Sequence, residues 1–429
     1  MFHQRRWSSR RAWGWHRRQP WLVGCNFVPS TAANQLEMWQ AETFDLETIR
    51  RELGWARELG FNTVRVFLHH LVWQQDPQGF LDRIDRFLDV ASDLGIATMF
   101  VLLDGVWDPR PRPGPQPPPR PGVHNSRWLQ SPGAEVLGDP SRHDEVRDYV
   151  QGIIGRFRDD PRVLAWDLFN EPDNENAAYA ASELPNKGEM ALLLLGKVFR
   201  WARAARPRQP LTAGLWRGEW GDPRRLSPID RLMLQESDVV SFHCYGPPQE
   251  VRRRLDDLER YGRPLLLTEF MARPLGSTFE GVLPLLKERK VAAYCWGLVA
   301  GKTQTIYPWD SWARPYEAEP EPWFHDVLRP DGTPYRPEEV QSHISLRDDF
   351  QVSSPELDLL VELSLAVPGV LGARLTGAGF GGCVLALARL DAIERFEARV
   401  LAPYRRRTGL SARLYVCQAD DGLQVESLA

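Results

Sequence analysis

Cysteine is scarce in this chain of 429 residues, and its five residues stand far apart. Their odd number and the lack of any CxxC pair argue against a disulfide framework and against a zinc knuckle. No apolar run approaches the roughly 20 residues that a membrane-spanning helix needs. The basic start of the chain also lacks the apolar stretch of about 7–15 residues that marks a secretory signal. We therefore expect a reduced, cytoplasmic protein.

An excess of positive charge is missing as well. The 53 Lys and Arg residues are outnumbered by 57 Asp and Glu residues, and the formal net charge is −4. Because a general nucleic-acid binder needs a basic surface, we expect no nucleic-acid partner, and we expect no membrane partner either. The exception is the N-terminal extension, residues 1–20, where arginines stand among Trp7, Trp13 and Trp15. This pattern fits RNA or membrane contact, but we favour an amphipathic segment packed across the base of a domain.

Tryptophan is absent after Trp323, although the chain holds 17 tryptophans. This asymmetry indicates two segments of different character, which we delimit as residues 21–347 and residues 350–429. In the first segment, apolar stripes at helical spacing alternate with short β-branched runs. The runs GFNTVRVFL and GIATMFVLL begin 35 residues apart, at Gly60 and Gly95, and share glycine, threonine and apolar positions. They form a βα repeat with the period of a parallel sheet.

Eight candidate strands follow from this pattern: 21–27, 62–68, 96–103, 163–169, 211–216, 238–243, 264–269 and 291–297. Helical stretches are predicted between most of them, notably at 144–158, 189–205, 249–261 and 277–289. Eight strands in this length of chain predict an α/β fold, a (β/α)8 TIM barrel. A doubly wound open sheet is the structural alternative. It usually carries a glycine-rich phosphate turn after its first strand, and CNFVPSTAANQ (25–35) is not one.

A proline-rich run interrupts the repeat directly after the third predicted strand. Residues 108–122 hold eight prolines and cannot form a helix or a central strand. The run is either a linker or, as we favour, an active-site-face loop stiffened in polyproline geometry. As a loop on the active-site face, it would be well placed to close one side of a binding cavity.

Chemistry in such a barrel belongs at the carboxyl ends of the strands. The fourth strand, VLAWDLFN, runs into Glu171, and the seventh strand, PLLLTEF, delivers Glu269. Two carboxyl groups facing each other across the barrel mouth are what glycoside hydrolysis needs: a protonated acid for the leaving oxygen and an ionised nucleophile for the anomeric carbon. Either glutamate alone is weak evidence, because a glutamate that opens a loop is often a helix-cap neighbour, so the prediction depends on the pair and its surroundings.

Those surroundings contain residue types that packing alone does not explain. Arg65 is a charge inside an apolar strand, which is costly unless it pairs with a buried carboxylate. Glu269 is its expected partner, and the pairing would keep Glu269 ionised. Four further residues at strand ends are candidates for substrate binding, Trp296 by stacking on a pyranose face: Asn170, His243, Tyr245 and Trp296.

The runs AWDLFNEP, LLLTEF and YCWG, in this order, resemble the clan A glycoside hydrolases, and within them the large cellulase and mannanase family. The resemblance covers about residues 20–345. It implies a retaining double displacement without metal or cofactor, with Glu171 as acid/base and Glu269 as nucleophile. It also places the five neighbouring residues named above in contact with the reacting groups. Retention predicts carboxyl groups about 5–5.5 Å apart.

One departure from the family concerns histidine. The family commonly has a histidine after the third strand, where this chain reads VLLDGVWDP, with Asp104 and Trp107. His69 or His70 after the second strand is a candidate for that role, the alternative being a packed or surface histidine. The phrases NFVPSTAANQLEMWQ, GKTQTIYPWDSW and WFHDVL resemble a bacterial subgroup with exo-acting β-mannosidase-like activity.

Other tryptophans near strand ends are either sugar platforms or core residues: Trp39, Trp73, Trp107, Trp216, Trp220, Trp309 and Trp312.

The second segment has its own motifs. A helix is predicted at 354–367, a second helix near 391–405 and a strand at 411–417, around the glycine-rich turn GAGFGG. Such a turn can cradle a phosphate, or can simply allow close backbone approach. The string SSPELDLLVELSLAVPGVLGARLTGAGFGGC resembles the C-terminal domain of galactokinase, in the superfamily of homoserine and mevalonate kinases. This implies a small α+β domain, with a split βαβ sheet.

The sequence therefore predicts a retaining β-glycosidase that acts on a short β-linked oligosaccharide of manno or gluco configuration. The alternative is a sugar kinase or accessory protein built on the C-terminal segment. That alternative is weakened because the P-x-G-x-G-L-S-S-S phosphate loop of galactokinases is missing from the chain. A catalytically idle sugar-binding protein is a third possibility, and the presence of both carboxylates argues against it.

Overall fold

The computed structural model describes residues 6–340, 355–376 and 383–416. The chain divides into two units, Met1–Ile344 and Ser345–Ala429. All seven candidate site residues belong to the first unit.

The strands of residues 6–340 form one parallel barrel. They are β1 (Val23–Asn26), β2 (Thr63–Phe67), β3 (Ala97–Val101), β4 (Val163–Asn170), β5 (Leu211–Gly214), β6 (Val240–His243), β7 (Leu265–Phe270) and β8 (Ala292–Trp296). Neighbours in sequence pair in parallel, and β1 pairs with both β2 and β8. Between β5 and β6 the backbone of Leu215 makes the link, accepting from His243 N at 2.8 Å and donating to Ser241 O at 3.2 Å. The predicted (β/α)8 barrel is therefore confirmed, because a doubly wound sheet would not run in consecutive order.

One helix precedes β1, and other helices of residues 6–340 lie in the segments that connect the strands. These helices are α1 (Ser9–Arg17), α2 (Gln35–Trp39), α3 (Leu46–Glu58), α4 (His70–Gln75), α5 (Pro77–Asp93), α6 (Ala134–Leu137), α7 (His143–Phe157), α8 (Lys187–Ala204), α9 (Pro228–Glu236), α10 (Pro248–Glu259) and α11 (Phe279–Glu288). The sequence signals act as expected in α3, where the Asp45 carboxylate accepts from Thr48 N at 3.0 Å and so caps the helix start. Beyond its end, Gly60 has a φ of +90°, which only glycine adopts without strain.

The N-terminal segment packs against the amino ends of the strands. Trp7 and Trp15 are buried in one cluster with Val239, Leu266 and Ala292, residues at or next to the starts of three strands. Trp7 N also donates to a carboxylate oxygen of Asp238 at 2.7 Å. The described part of this basic segment, residues 6–20, therefore has the amphipathic packing that we favoured.

The loop after β3 is long and lies on the carboxyl-end face. Its proline run is anchored from outside the cavity: Gly114 N donates to Gln40 Oε1 at 2.7 Å, and Gln40 Nε2 donates back to Gly114 O at 2.9 Å. Residues 108–122 do not line the cavity of the site, whereas Trp107 and His124, on either side of them, do. The expectation that residues 108–122 close the cavity was therefore wrong. The residues on either side of this run line the cavity instead, and the run supports the loop from outside.

The second unit is a small α+β unit. It contains α12 (Pro355–Leu365), an antiparallel pair of strands, β9 (Val370–Thr376) and β10 (Cys383–Ala388), and then α13 (Leu390–Ile393) and α14 (Ala402–Thr408). The predicted helix at 391–405 is thus two short helices, with a π-helical turn at Glu397–Leu401 between them. The predicted strand at 411–417 was wrong for its described part, because residues 411–416 pair with no strand there. GAGFGG (377–382) lies outside the described residues, and no split βαβ sheet forms within them.

Two further findings concern the described residues as a whole. None of their helices combines the length and the apolar character needed to cross a membrane. Their four cysteines are unpaired: Cys25, Cys244, Cys295 and Cys383. The fifth, Cys417, lies outside this part of the chain.

Candidate active site

The predicted site residues converge at the carboxyl ends of the strands, around a cavity of about 800 Å³. Six of the seven line this cavity: Asn170, Glu171, His243, Tyr245, Glu269 and Trp296. The seventh, Arg65, lies beneath it and is fully buried. The strand ladders slip in register near these ends, for example between Phe242 and His243, where His243 comes to pair with Glu269. Such irregularities re-aim side chains, and they explain how neighbouring strands present polar groups to one cavity.

Arg65 joins both halves of the site. Its Nη1 donates to Glu269 Oε1 at 2.8 Å, which confirms the predicted ion pair. Its Nε and Nη2 donate to Asp167 Oδ2 at 3.1 and 2.8 Å, and Nη2 also donates to Asn170 Oδ1 at 2.7 Å. Burial by itself lowers the pKa of Arg65, but the carboxylates of Asp167 and Glu269 outweigh it and raise that pKa. The guanidinium is therefore a permanent positive charge below the cavity floor.

Glu269 receives two hydrogen bonds, one on each carboxylate oxygen. Arg65 donates to Oε1, and the Tyr245 hydroxyl donates to Oε2 at 2.7 Å. Burial raises the pKa of Glu269 and the charge of Glu171 adds to this, whereas His243, Arg65 and Tyr245 oppose it. We expected the pairing with Arg65 to keep Glu269 ionised, and the pairing does favour the charged form, but desolvation of this enclosed carboxyl outweighs it and leaves the pKa raised.

Glu171 follows the last residue of β4 in a left-handed backbone conformation, with a φ of +40°. The chain passes close to Gly105 here: a Cβ on Gly105 would lie 2.3 Å from Glu171 O, so only glycine fits. Glu171 Oε1 lies 2.6 Å from His243 Nδ1, and Oε2 accepts from Asn174 Nδ2 at 2.6 Å. Burial raises the pKa of Glu171 to about 7, against the opposing effect of the Asn174 amide. The carboxyl can therefore hold a proton near neutral pH.

His243 lies between the two glutamates. Its Nδ1 is 2.6 Å from Glu171 Oε1 and 3.5 Å from Glu269 Oε2. Burial lowers the pKa of His243 to about 4, so the ring is neutral at physiological pH. One carboxylate oxygen of Glu171, one of Glu269 and a ring nitrogen of His243 all lie within 4.8 Å of one another. In the described part of the chain these three side chains are also the group that could hold a metal ion.

Asp104 and Asp167 belong to the site and were not predicted to do so. Asp104, just beyond β3, accepts from Asn170 Nδ2 at 3.0 Å and from Trp128 Nε1 at 2.6 Å. Burial raises the pKa of Asp104 to about 7. The amide of Asn170, expected to reach a sugar hydroxyl, is thus already bonded on both sides by Arg65 and Asp104. The signal for both aspartates was present in the sequence, because each is a charge within or directly after an apolar strand.

The structure contradicts the suggestion that His69 or His70 reaches the sugar. Neither lines the cavity, and both are buried, His69 against Gln130 O at 3.0 Å and His70 against Ser131 Oγ at 3.1 Å. Their rings stack on each other with centroids 5.0 Å apart. The packed alternative holds for both, because the polar partners of the two rings come from the far end of the β3 loop.

Two other histidines line the cavity instead. His124 comes from the loop after β3, and its Nδ1 lies 2.7 Å from Tyr307 O. His325 comes from the run WFHDVL, and its ring lies 5.3 Å from those of His124 and Tyr245. Burial lowers the pKa of His124 to about 4. A histidine after the third strand is thus present, but a long loop separates it from the strand, which is why spacing did not reveal it.

Six tryptophans line the cavity: Trp107, Trp128, Trp216, Trp296, Trp309 and Trp312. Trp107 and Trp312 stack with centroids 5.1 Å apart, and Trp296 packs edge-on against Trp128 at 5.7 Å. Among the other candidates, Trp39 and Trp220 are buried core residues. Trp73 lies outside the cavity and packs on α7 at Gly152. Rings of this kind, with a few convergent polar groups, can bind the apolar faces and the hydroxyl groups of a sugar.

The barrel is similar in structure to solved carbohydrate-active proteins. A GH5_18 variant from Streptomyces cattleya, in complex with Manb1-4GlcNAc, matches with a TM-score of 0.53 at 15% identity, over 78% of this chain and 82% of that chain. The exo-beta-1,4-mannosidase Op5Man5 from Opitutaceae bacterium strain TAV5 matches with a TM-score of 0.52 at 18% identity, over 78% of this chain and 61% of that chain. At these identities the likeness shows the barrel fold.

The C-terminal segment is similar in sequence to kinases. The family model of the GHMP kinases C terminal matches residues 339–406. The galactokinase of Roseiflexus sp. (strain RS-1) is 47% identical over 83 residues, which are 19% of this chain and 21% of that protein. The galactokinase of Levilactobacillus brevis is 52% identical over 81 residues, again 19% and 21%. The chain thus spans about a fifth of the length of these relatives.

Proposed function

We propose that the barrel is a retaining β-glycosidase that removes terminal sugars, β-mannose above all, from short β-linked oligosaccharides. One observation carries the proposal: Glu171 and Glu269 present carboxylate oxygens within 4.8 Å of each other at the barrel mouth. Retaining glycosidases keep their carboxyl groups about 5–5.5 Å apart, whereas inverting ones leave about 6.5–9.5 Å for a water molecule. The close pair therefore favours double displacement.

The surroundings of the two carboxyls suit different roles. Glu269 accepts from the Arg65 guanidinium and from the Tyr245 hydroxyl, two interactions that favour its charged form and make it the nucleophile. Glu171 has a pKa raised to about 7 by burial and carries no guanidinium contact, so it holds the proton. Neutral His243, 2.6 Å from Glu171, orients that carboxyl without adding a charge.

The reaction then proceeds in two steps. Glu269 attacks the anomeric carbon, an ester bond forms to the sugar, and the glycosidic bond breaks as Glu171 transfers its proton to the leaving oxygen. In the second step water attacks the same carbon, Glu171 takes the proton from that water, and the ester to Glu269 breaks. Two displacements at one carbon leave the β configuration unchanged.

Two further points support the choice of substrate. The solved proteins of similar fold include an exo-beta-1,4-mannosidase and a complex with Manb1-4GlcNAc. The stacked rings of Trp107 and Trp312 line the cavity together with His124, and such rings suit a sugar.

We do not propose a sugar kinase as the function. The chain holds only about a fifth of a galactokinase, and its sequence contains no P-x-G-x-G-L-S-S-S loop. Sugar-dependent release of ADP from ATP by the purified protein would revive that alternative.

The test is covalent trapping. We expect 2-deoxy-2-fluoro-β-mannosyl fluoride to inactivate the protein and mass spectrometry to place the adduct on Glu269. A comparison with 2-deoxy-2-fluoro-β-glucosyl fluoride establishes whether the protein prefers the manno or the gluco configuration. An adduct on any other residue would contradict the assignment, and so would a Glu171→Gln variant with full activity on substrates whose leaving group is a sugar.

A further inference from the structure

One oxygen of the Glu171 carboxyl, Oε2, accepts a hydrogen bond from a residue that lines the cavity. Oε1 lies 2.6 Å from the buried ring of His243, so this side of the carboxyl is enclosed by the protein. Oε2 accepts from Asn174 Nδ2, also at 2.6 Å, and Asn174 belongs to the loop after β4. A leaving oxygen that takes the proton of Glu171 at Oε2 therefore comes beside the amide of Asn174 and can displace it. The amide then has a donor free for the leaving sugar.

The indole of Trp216 lines the same cavity as Asn174 and is held in place by Asp173, the residue before Asn174. Its Nε1 donates to Asp173 Oδ1 at 2.8 Å. The guanidinium carbon of Arg217 lies 5.1 Å from the ring centre, and its Nε forms an ion pair with Asp173 Oδ2 at 2.9 Å. Arg217 thus covers one face of the indole, and the half-buried ring lines the cavity, where a ligand can reach it.

We propose that Trp216 and Asn174 form the subsite for the leaving-group sugar, with the pyranose stacked on Trp216 and the Asn174 amide passing from Glu171 to that sugar. This inference rests on the proposed glycosidase function and names the residues that recognise its second sugar. The reacting sugar occupies the other part of the cavity, beside Trp296 at the end of β8. The polar loop residues next to Asn174, among them Asn176, also line the cavity and suit a hydroxyl-rich ligand.

The experiment uses the trapped 2-fluoromannosyl form of the whole protein. Free N-acetylglucosamine, glucose and mannose are added as acceptors, and recovery of activity is followed. An acceptor hydroxyl attacks the anomeric carbon, gives its proton to Glu171 and releases Glu269, so the rate reports occupancy of the leaving-group subsite. For Trp216→Ala we expect acceptor-driven recovery to fall about 10-fold, the size expected for loss of one aromatic stacking contact. Trapping and recovery in water alone involve no second sugar and should fall by a clearly smaller factor than acceptor-driven recovery.

Further variants separate binding from folding. Trp216→Phe keeps a ring and should restore most of the acceptor effect, and Arg217→Ala should show a smaller loss because Asp173 still holds the indole. Asn174→Ala should weaken the acceptor effect and also raise the pKa of Glu171, because the amide stabilises its charged form. Trp13→Ala, on the N-terminal helix, is the matched control.

Unchanged acceptor-driven recovery in Trp216→Ala would overturn the subsite, and so would an equal loss in trapping and in acceptor-driven recovery. Failure of the unmodified protein to form a Glu269 adduct is a different result, which overturns the proposed function and the subsite with it.

Discussion

Arg65 Nη1 lies 2.8 Å from Glu269 Oε1, and the two residues come from strands on different sides of the barrel. The same guanidinium bonds Asp167 and Asn170, so a single side chain links Glu269 to the residue that precedes Glu171. The arrangement has a cost, because a fully buried charge must keep every partner to be stable. The position of the nucleophile and the stability of the barrel therefore depend on the same contacts.

The first prediction concerns the pH dependence of hydrolysis. Activity needs Glu171 protonated and Glu269 ionised, and burial raises the pKa of Glu171 to about 7 and that of Glu269 above its usual value. We expect a bell-shaped pH profile of kcat/KM. Its alkaline limb lies near pH 7, where Glu171 loses its proton, and its acid limb lies where Glu269 gains a proton. Initial rates on an aryl β-mannoside across pH 4–9 measure it. A rate that keeps rising above pH 8 would argue against Glu171 as the acid.

The second prediction is for Arg65→Met, which leaves Asp167 and Glu269 buried without their counter-charge. We expect the free energy of unfolding to fall by about 3–5 kcal/mol, as for one partner removed from a buried ion pair. The acid limb of kcat/KM should also move to higher pH, because Glu269 loses the group that favours its charged form. Denaturant unfolding and pH profiles measure the two effects. Arg208→Met, which removes an exposed pair with Asp159, is the control and should change stability by no more than about 0.5 kcal/mol.

The third prediction is that Glu171→Gln stabilises the protein at alkaline pH. The folded pKa of Glu171 is raised to about 7, above its value in the unfolded chain. The folded state therefore binds the proton more tightly, and stability falls as pH rises from about 4.5 through 7. Glutamine removes this loss, so the gain in Tm should be larger at pH 8 than at pH 5. The exposed Glu135→Gln serves as control, and an equal gain at both pH values would show that Glu171 is not the titrating group.

The fourth prediction compares two buried histidines. His124 lines the cavity and His70 does not, although both rings are neutral because burial lowers the pKa of each to about 4. We expect His124→Ala to lower kcat/KM by up to about 10-fold, the worth of one hydrogen bond to a sugar hydroxyl. His70→Gln should leave kcat/KM within about 2-fold, once thermal melting shows that the variant is folded. The reverse order of effects would restore His70 as the residue that reaches the sugar.

The barrel and its two carboxyl groups could be predicted because both follow from local sequence patterns. The alternation of apolar stripes and β-branched runs has the period of a βα unit, and a barrel brings strand ends together by its topology. Glu171 directly follows β4 and Glu269 lies near the carboxyl end of β7, so they had to face the same cavity. Arg65 was predictable for a related reason, since a charge in an apolar strand requires a buried partner. Asp167 satisfied the same rule and was missed.

The tertiary structure alone decided how the cavity walls are built. His124 and Trp128 enter from a loop of more than twenty residues whose path no periodicity describes, whereas His69 and His70, close to a strand end, turn away to pack on that loop. Ionisation also depends on the fold, because desolvation of Glu171 and Asp104 arises from residues distant in sequence. Residue type and local spacing thus determined the barrel, the acid pair and the Arg65 pairing. Long-range packing decided which further side chains meet the ligand and what charge those side chains carry.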